Sequence, residues 1–454
     1  MLRRAYAAPH RRGHAAPLRA APAAFLPAAD KVSTFGITCI LFFCIFLQRF
    51  ALPIGTGTSQ LAVSFVLAYL VFGYMLLRGR LMVSPALAMF FCGVLALMTI
   101  SLAIADEKAS LMSFIYLFTI YVLYAFKLRY REGVFEHTLH SYQGLMIVAA
   151  LFGIAQFASQ FVIGPELMFP IDVYFPEEML FRETFNVMIP LAYESEIMKS
   201  NGVFFLEPSF FSQFLGLSII IELTRRQSLW RLVIYCTALL VSYSGTGLSM
   251  VVLFLPWILY RRGNIQLLVW GSIAVAFLVI AGESLNLSRM ADRLQEFGEP
   301  ESSGFARFIS PIYLIRDFLL DSGRGFFFGF GPGAIDDFVK ASRVGGYLAH
   351  DPTWIKLLFE YGAIAFLGLL TYVVTALTHG TRDKVLCVAI IYLYLFLGGY
   401  LLNSMMHALF IALMAWHSDP ARAALPVRRR RSRWIEPAAM DDERAPREPS
   451  PREA

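Results

Sequence analysis

The sequence predicts an all-α fold, a polytopic integral membrane protein of about 12 transmembrane helices with two long loops on its outer side. Three observations predict it. Of 454 residues, 57% are hydrophobic and only 16% are charged, where a soluble domain carries about 25% charged residues. The apolar residues gather in runs close to the ~20 residues that cross a hydrocarbon core. Arg and Lys collect in alternate short loops, as the excess of positive charge on the cytoplasmic side demands.

The elements follow in chain order. Residues 1–32 are rich in Ala, Pro and Arg, with Arg3, Arg4, Arg11, Arg12 and Arg19. They have no apolar stretch with a cleavage site, so a disordered cytoplasmic tail is expected rather than a signal or transit peptide. The membrane unit spans 33–417, with apolar runs near 33–51, 60–77, 84–104, 110–126, 139–163, 203–223, 229–244, 246–260, 265–282, 354–377, 384–401 and 403–417. From 418 to 454 the chain is rich in Pro, Arg and Glu, which predicts a second disordered cytoplasmic tail.

The connecting charges support this count. With the N-terminus inside, the cytoplasmic loops carry Arg78 and Arg80, then Lys127, Arg129 and Arg131, then Arg225, Arg226 and Arg231, then Arg261 and Arg262, then Arg382 and Lys384, and finally Arg428–Arg431 and Arg433. The short outer loops at 52–59, 105–109, 244–246 and 398–403 carry only Lys108. One long helix from Lys384 to Trp416 would put the Arg428–Arg433 cluster outside. A hairpin turning at Gly398, Gly399 and Asn403 keeps it inside, and adjacent glycines permit that turn.

Two outer loops are long, 164–202 and 283–353. Loops of that length are functional or disordered, and their apolar and aromatic content predicts order. Residues 305–320 read as an interfacial helix that Pro311 kinks or divides. The second loop carries Arg289, Arg293, Arg307, Arg316, Arg324 and Arg343.

Several function classes are excluded. Cys39, Cys44, Cys92, Cys236 and Cys387 all fall inside apolar runs, so they read as packing residues, not as disulfide or zinc ligands. The formal charge of +6 sits in loops and tails that set topology and gives no reason to expect nucleic acid. Gly323, Arg324, Gly325 and the Gly329-Phe330-Gly331-Pro332-Gly333 run lack the strand, helix and lysine of a nucleotide loop.

The residues that carry chemistry lie on the outer side. Of eight histidines only His350 stands where an outer loop meets a helix, in His350-Asp351-Pro352-Thr353-Trp354. A histidine there suits a general base and equally suits a helix cap. Arg307 and Arg316 lie on the surface helix and have the fork geometry that grips phosphate; headgroup contact or a salt bridge to Asp317 or Asp321 is the structural alternative. Glu207 stands where the first outer loop re-enters the membrane, in Asn201-Gly202-Val203-Phe204-Phe205-Leu206-Glu207-Pro208-Ser209. A carboxylate at that depth is costly unless paired or functional. Ser242-Tyr243-Ser244-Gly245-Thr246-Gly247 makes a small-residue outer turn.

In this order these segments resemble the O-antigen polymerase and O-antigen ligase superfamily, of Wzy-type exopolysaccharide and O-antigen polymerases. Gly202–Ser209 resembles its G-x-F-x-E-P-S element and Ser242–Gly247 its S-x-S-R-T-G turn. Arg307, Gly329–Gly333, His350 and Glu360-Tyr361-Gly362 resemble its catalytic loop and following helix. The match is clear over about 200–377. Gly245 departs from it where many relatives have arginine; an arginine from elsewhere, with Arg182 the candidate, takes that role unless the site works without it.

The resemblance implies glycosyl transfer without nucleotide sugar or metal cofactor, at the periplasmic face of the bacterial inner membrane. The donor is a glycan on undecaprenyl pyrophosphate, and the acceptor is another lipid-linked repeat unit. It casts His350, Arg307 and Glu207 as catalytic. Arg316, Arg182, Arg324, Asp351, Glu360 and Ser209 would hold pyrophosphate or glycan, with Asp351 or Glu360 orienting His350. The implied partners are the bilayer, a flippase and a chain-length-regulating co-polymerase. The competing readings are a ligase, which differs in acceptor, and a transporter or flippase, which the scarcity of mid-span charge disfavours.

Overall fold

The computed structural model describes residues 29–52, 61–105, 109–131, 133–165, 167–181, 185–191, 195–226, 228–262, 303–379, 381 and 383–417. The expected span at 265–282 and the candidate Arg182 lie outside these. The described chain is mostly helical, with two short antiparallel strand pairs, β1 (Ala51–Leu52) with β2 (Leu61–Ala62) and β3 (Leu81–Val83) with β4 (Phe126–Leu128).

The helices α1 (Lys31–Phe46), α2 (Val63–Leu77), α3 (Pro85–Ile104), α4 (Leu111–Tyr121) and α5 (Val134–Ile163) follow the first five predicted runs. After the short helix α6 (Pro170–Tyr174) come α7 (Pro208–Ile221), α8 (Leu229–Val241) and α9 (Gly245–Arg262). In the second long loop lie α10 (Ser303–Phe308), α11 (Ser310–Leu314), α12 (Gly323–Phe328) and α13 (Ile335–Val344). The chain then forms α14 (Thr353–Thr378), α15 (Lys384–Phe396) and α16 (Ser404–Leu413). Among the described residues three helices, α3, α5 and α14, are long and apolar enough to cross a membrane, and seven shorter helical stretches are apolar. With that composition the chain is a membrane protein.

Local chemistry sets the boundaries. Asp30 caps α1 by accepting from Ser33 N at 2.9 Å, and Asn403 caps α16 by accepting from Met406 N at 3.1 Å, each satisfying an orphan amide. Pro208 opens α7 in the first turn, where its missing N–H costs nothing. Residues 203–207 are therefore a loop and not the start of a span. Pro311 likewise opens α11, dividing the expected surface helix.

Two expectations need correction. The run at 354–377 is not one regular helix, because Gly362 (φ 74°, ψ 173°) breaks it. The hairpin between α15 and α16 forms where expected, but its glycines do not turn through positive φ. They allow close approach instead: Gly398 O accepts from Thr353 N at 3.1 Å, and a Cβ on Gly399 would stand 3.2 Å from Asp351 O.

The helix ends sort into two groups. At one end Lys127, 1% exposed, donates from Nζ to Ala376 O (3.0 Å) and Ala415 O (2.6 Å). There Arg225 also bridges Glu136 (2.9 Å) and Asp383 (3.0 Å). The carbonyls and carboxylates of four elements thus converge on two cations predicted to be cytoplasmic. The opposite end holds Glu207, the Ser242–Gly247 turn, the α15–α16 turn and the second long loop. One apolar core runs through α1–α5, α7–α9 and α14–α16. The second loop has its own core of Leu314, Leu319, Ile335, Ala349, Ile355 and Phe359, so its described part is ordered as expected.

Candidate active site

The site starts at Glu207, the residue before α7. Its Oε1 accepts from Asn186 N (3.2 Å) and its Oε2 from the Ser209 hydroxyl (2.9 Å). Both carboxylate oxygens are therefore held. Upstream, Val203 takes φ 67°, a strained conformation for a β-branched residue. It is kept there by Gln156 Oε1 and Asn201 Oδ1, each 3.1 Å from its amide.

The small-residue turn packs beside it. Ser212 Oγ lies 3.0 Å from both Ser244 Oγ and Thr246 Oγ1, and Gly247 N donates to it at 3.1 Å. A Cβ on Gly247 would fall 2.0 Å from Ser212 O, so that glycine is the contact between α7 and α9, a small-residue helix crossing of the kind membrane bundles use. A side chain at Gly245 would meet nothing within 4 Å. Space remains at the position where the resemblance led to the expectation of arginine.

The second loop docks against this end. His350 N donates to Ala306 O at 3.0 Å, which sets the Arg307 and His350 main chains side by side. Arg307 makes no hydrogen bond or ion pair with another described residue. The His350 ring is accessible at the surface, yet it stands among closely packed protein atoms. That crowding holds its pKa below 6.5, with the charges of Arg307 and Arg343 adding and Asp351 opposing. The imidazole is thus neutral, the form a general base needs.

Tyr400, 2% exposed, joins the halves. Its amide donates to Thr353 Oγ1 at 2.8 Å, and its hydroxyl donates to Gln213 Oε1 on α7. Its carbonyl is 2.8 Å from His407 Nε2. The carbonyl can only accept, so Nε2 carries the proton and Nδ1 accepts from Tyr124 OH at 2.8 Å. Burial raises the Tyr400 pKa; Arg307 and the Gln213 hydrogen bond lower it, and Glu207 raises it. Charges from both halves therefore reach one hydroxyl.

The other expected residues divide. Ser209 belongs to the Glu207 pair. Arg316 is 63% exposed, bonded to its neighbour Asp317 at 2.7 Å and stacked 4.6 Å over the Tyr313 ring. Arg324 is exposed. Asp351 and Glu360 do not bond His350. They face Lys356, whose Nζ stands 3.2 Å from Asp351 Oδ2, 3.7 Å from Glu360 Oε1 and 4.0 Å from Asp336 Oδ1. Glu360 is 0% exposed, so it is a packed residue and not one open to glycan.

Sequence reasoning missed Lys356, although its i,i+4 spacing to Glu360 was legible. It also missed Tyr400, and it missed Arg49, which is fully buried and paired with Asp172 inside an apolar run read only as a span.

No curated protein matches the chain. A family model described as WcaD colanic acid polymerase matches residues 31–418. The chain is a member of that family, a polysaccharide polymerase family whose activity is of the glycosyltransferase type.

Proposed function

We propose that this polymerase joins oligosaccharide repeat units carried on undecaprenyl pyrophosphate, as a multi-pass protein at the periplasmic face of the bacterial inner membrane. What supports this reading is that the charges of Arg307 and Glu207 both act on Tyr400, with the Arg307 and His350 main chains side by side, at the end opposite the basic clusters. In the transfer an acceptor hydroxyl oxygen bonds to the donor's anomeric carbon. The bond from that carbon to the pyrophosphate oxygen breaks, and the electron pair leaves with undecaprenyl pyrophosphate. The acceptor proton passes to the neutral His350 ring. Arg307 stabilises the charge that develops on the leaving group, and Glu207, held at both oxygens, orients acceptor hydroxyls. Arg316 and Arg324, exposed on the same loop, meet the pyrophosphate or the glycan. Arg182, within the first outer loop, is the candidate second cation.

A base of this kind contributes about 10²–10⁴-fold, and one removed electrostatic donor costs about 10²–10³-fold. Arg307→Ala and His350→Ala should each abolish polymer in a deletion strain while the protein's membrane level holds. Single lipid-linked units should accumulate on the outer leaflet. Normal polymer in both variants overturns the site. Polymer retained on its lipid carrier points to the ligase reading instead, and units trapped on the inner leaflet point to a flippase.

A further inference from the structure

Lys356 faces three carboxylates. It sits in the first turns of α14, and its side chain is 15% exposed. Asp336 comes from α13, Asp351 adjoins His350, and Glu360 precedes the break at Gly362. The three acids are unequal. Asp336 is 61% exposed and remains solvated, whereas Asp351 is 31% exposed and Glu360 is fully buried. The hydrogen bond among them goes to Asp351.

That bond has a consequence for the neighbouring residue. The charged groups facing His350 are Arg307 on α10, Arg343 on α13 and Asp351. Asp351 is the only acid of the three, and Lys356 holds its carboxylate. A nearby opposite charge favours the charged form of a titratable group, so a carboxylate released from its cation favours the protonated imidazole.

Resting on the assignment of His350 as base, we infer that Lys356 is a positioning residue that binds the Asp351 carboxylate at 3.2 Å and so limits how far that carboxylate favours a proton on the neighbouring His350 ring. Lys356→Met alone would also remove the cation beside the fully buried Glu360, so the test uses Lys356→Met/Glu360→Gln. In this variant only Asp351 and the solvated Asp336 lose their partner.

The readout is carbethoxylation of His350 in the purified full chain, which proceeds on the neutral imidazole and is followed by peptide mass spectrometry across pH. The midpoint should rise by at least one unit in Lys356→Met/Glu360→Gln and fall back when Asp351→Asn is added. The acid limb of polymerisation, assayed with lipid-linked repeat units extracted from a strain lacking the polymerase, should move with it. A midpoint that does not move, or that moves equally with Asp351→Asn present, overturns the inference. Activity that survives His350→Ala overturns the base assignment instead, and the modification midpoint reads the Lys356 effect independently of that result.

Discussion

Gly329→Ala tests whether the second loop must be locked to α14 for polymerisation. Gly329 has φ 78° and ψ 178°, a region that is essentially glycine-only and costs about 1–3 kcal/mol for another residue. An added Cβ would stand 2.5 Å from Glu360 C and O, about 0.9 Å short of ordinary contact at 3.4 Å. Backbone must therefore move. The movement strains the two hydrogen bonds that close the lock, Phe330 N to Phe359 O (2.8 Å) and Gly331 N to Glu360 O (3.0 Å), worth about 0.5–1.5 kcal/mol each. The sum is about 2–6 kcal/mol. It is applied at the α14 break, where Phe330 and Phe359 belong to the loop's own core. The lock is reciprocal: a Cβ on Gly362 would stand 2.4 Å from Phe327 C and O. Limited proteolysis of membrane vesicles should show new cleavage within 323–345, and polymer should fall at least tenfold with membrane level held. Gly323→Ala is the control, because a Cβ there meets nothing within 4 Å. Equal protease resistance and polymer in the two variants would refute the reasoning.

Because the crowding of protein atoms, Arg307 and Arg343 hold the His350 pKa below 6.5, its base form persists at neutral pH and is lost as pH falls through the depressed value. The unfolded chain binds this proton first, so stability also declines as pH drops from about 6.5 toward the folded pKa. The acid limb of the pH–rate profile should lie below 6.5 and move up in Arg343→Ala; a limb above 7 in the parent protein contradicts the assignment. Topology makes a separate prediction. A periplasmic reporter fused at Gly333 should be active and one fused after Arg431 silent, and the reverse pattern would mean a helix count wrong by an odd number.

The helices were legible because a bilayer imposes a length of apolar chain that composition alone reveals, and because caps such as Asp30 and Asn403 are local. What distance along the chain hides is different in kind. Gly362 sits inside an apolar, helix-length run, and its reason is the Phe327 backbone brought against it by tertiary packing. Gly398 and Gly399 marked a turn correctly, yet their use is the approach of Asp351 and Thr353. The chemistry divides the same way. His350, Arg307 and Glu207 could be picked out by type and position at loop–helix junctions. Tyr400 could not, because nothing in Gly398-Gly399-Tyr400 says that its hydroxyl will meet Gln213, or its carbonyl His407.

This division bears on how the site works. Glu207 belongs to the rigid helical body, held by Asn186 and Ser209, whereas Arg307 and His350 belong to a loop with its own small core. The loop's polar fastenings to the body include the Phe330 and Gly331 amides on the α14 break and the acids around Lys356. The α14 turn bearing Thr353 is in turn tied to Tyr400. A loop attached through a few polar contacts can open at lower cost than one continuous with the main apolar core. Under the proposed function the protein admits two lipid-linked chains and releases one carrier in each cycle, and a loop attached in this way would let them pass. The contacts that sequence reading could not show are thus the fastenings, and substitutions there should alter turnover while the helical body stays intact.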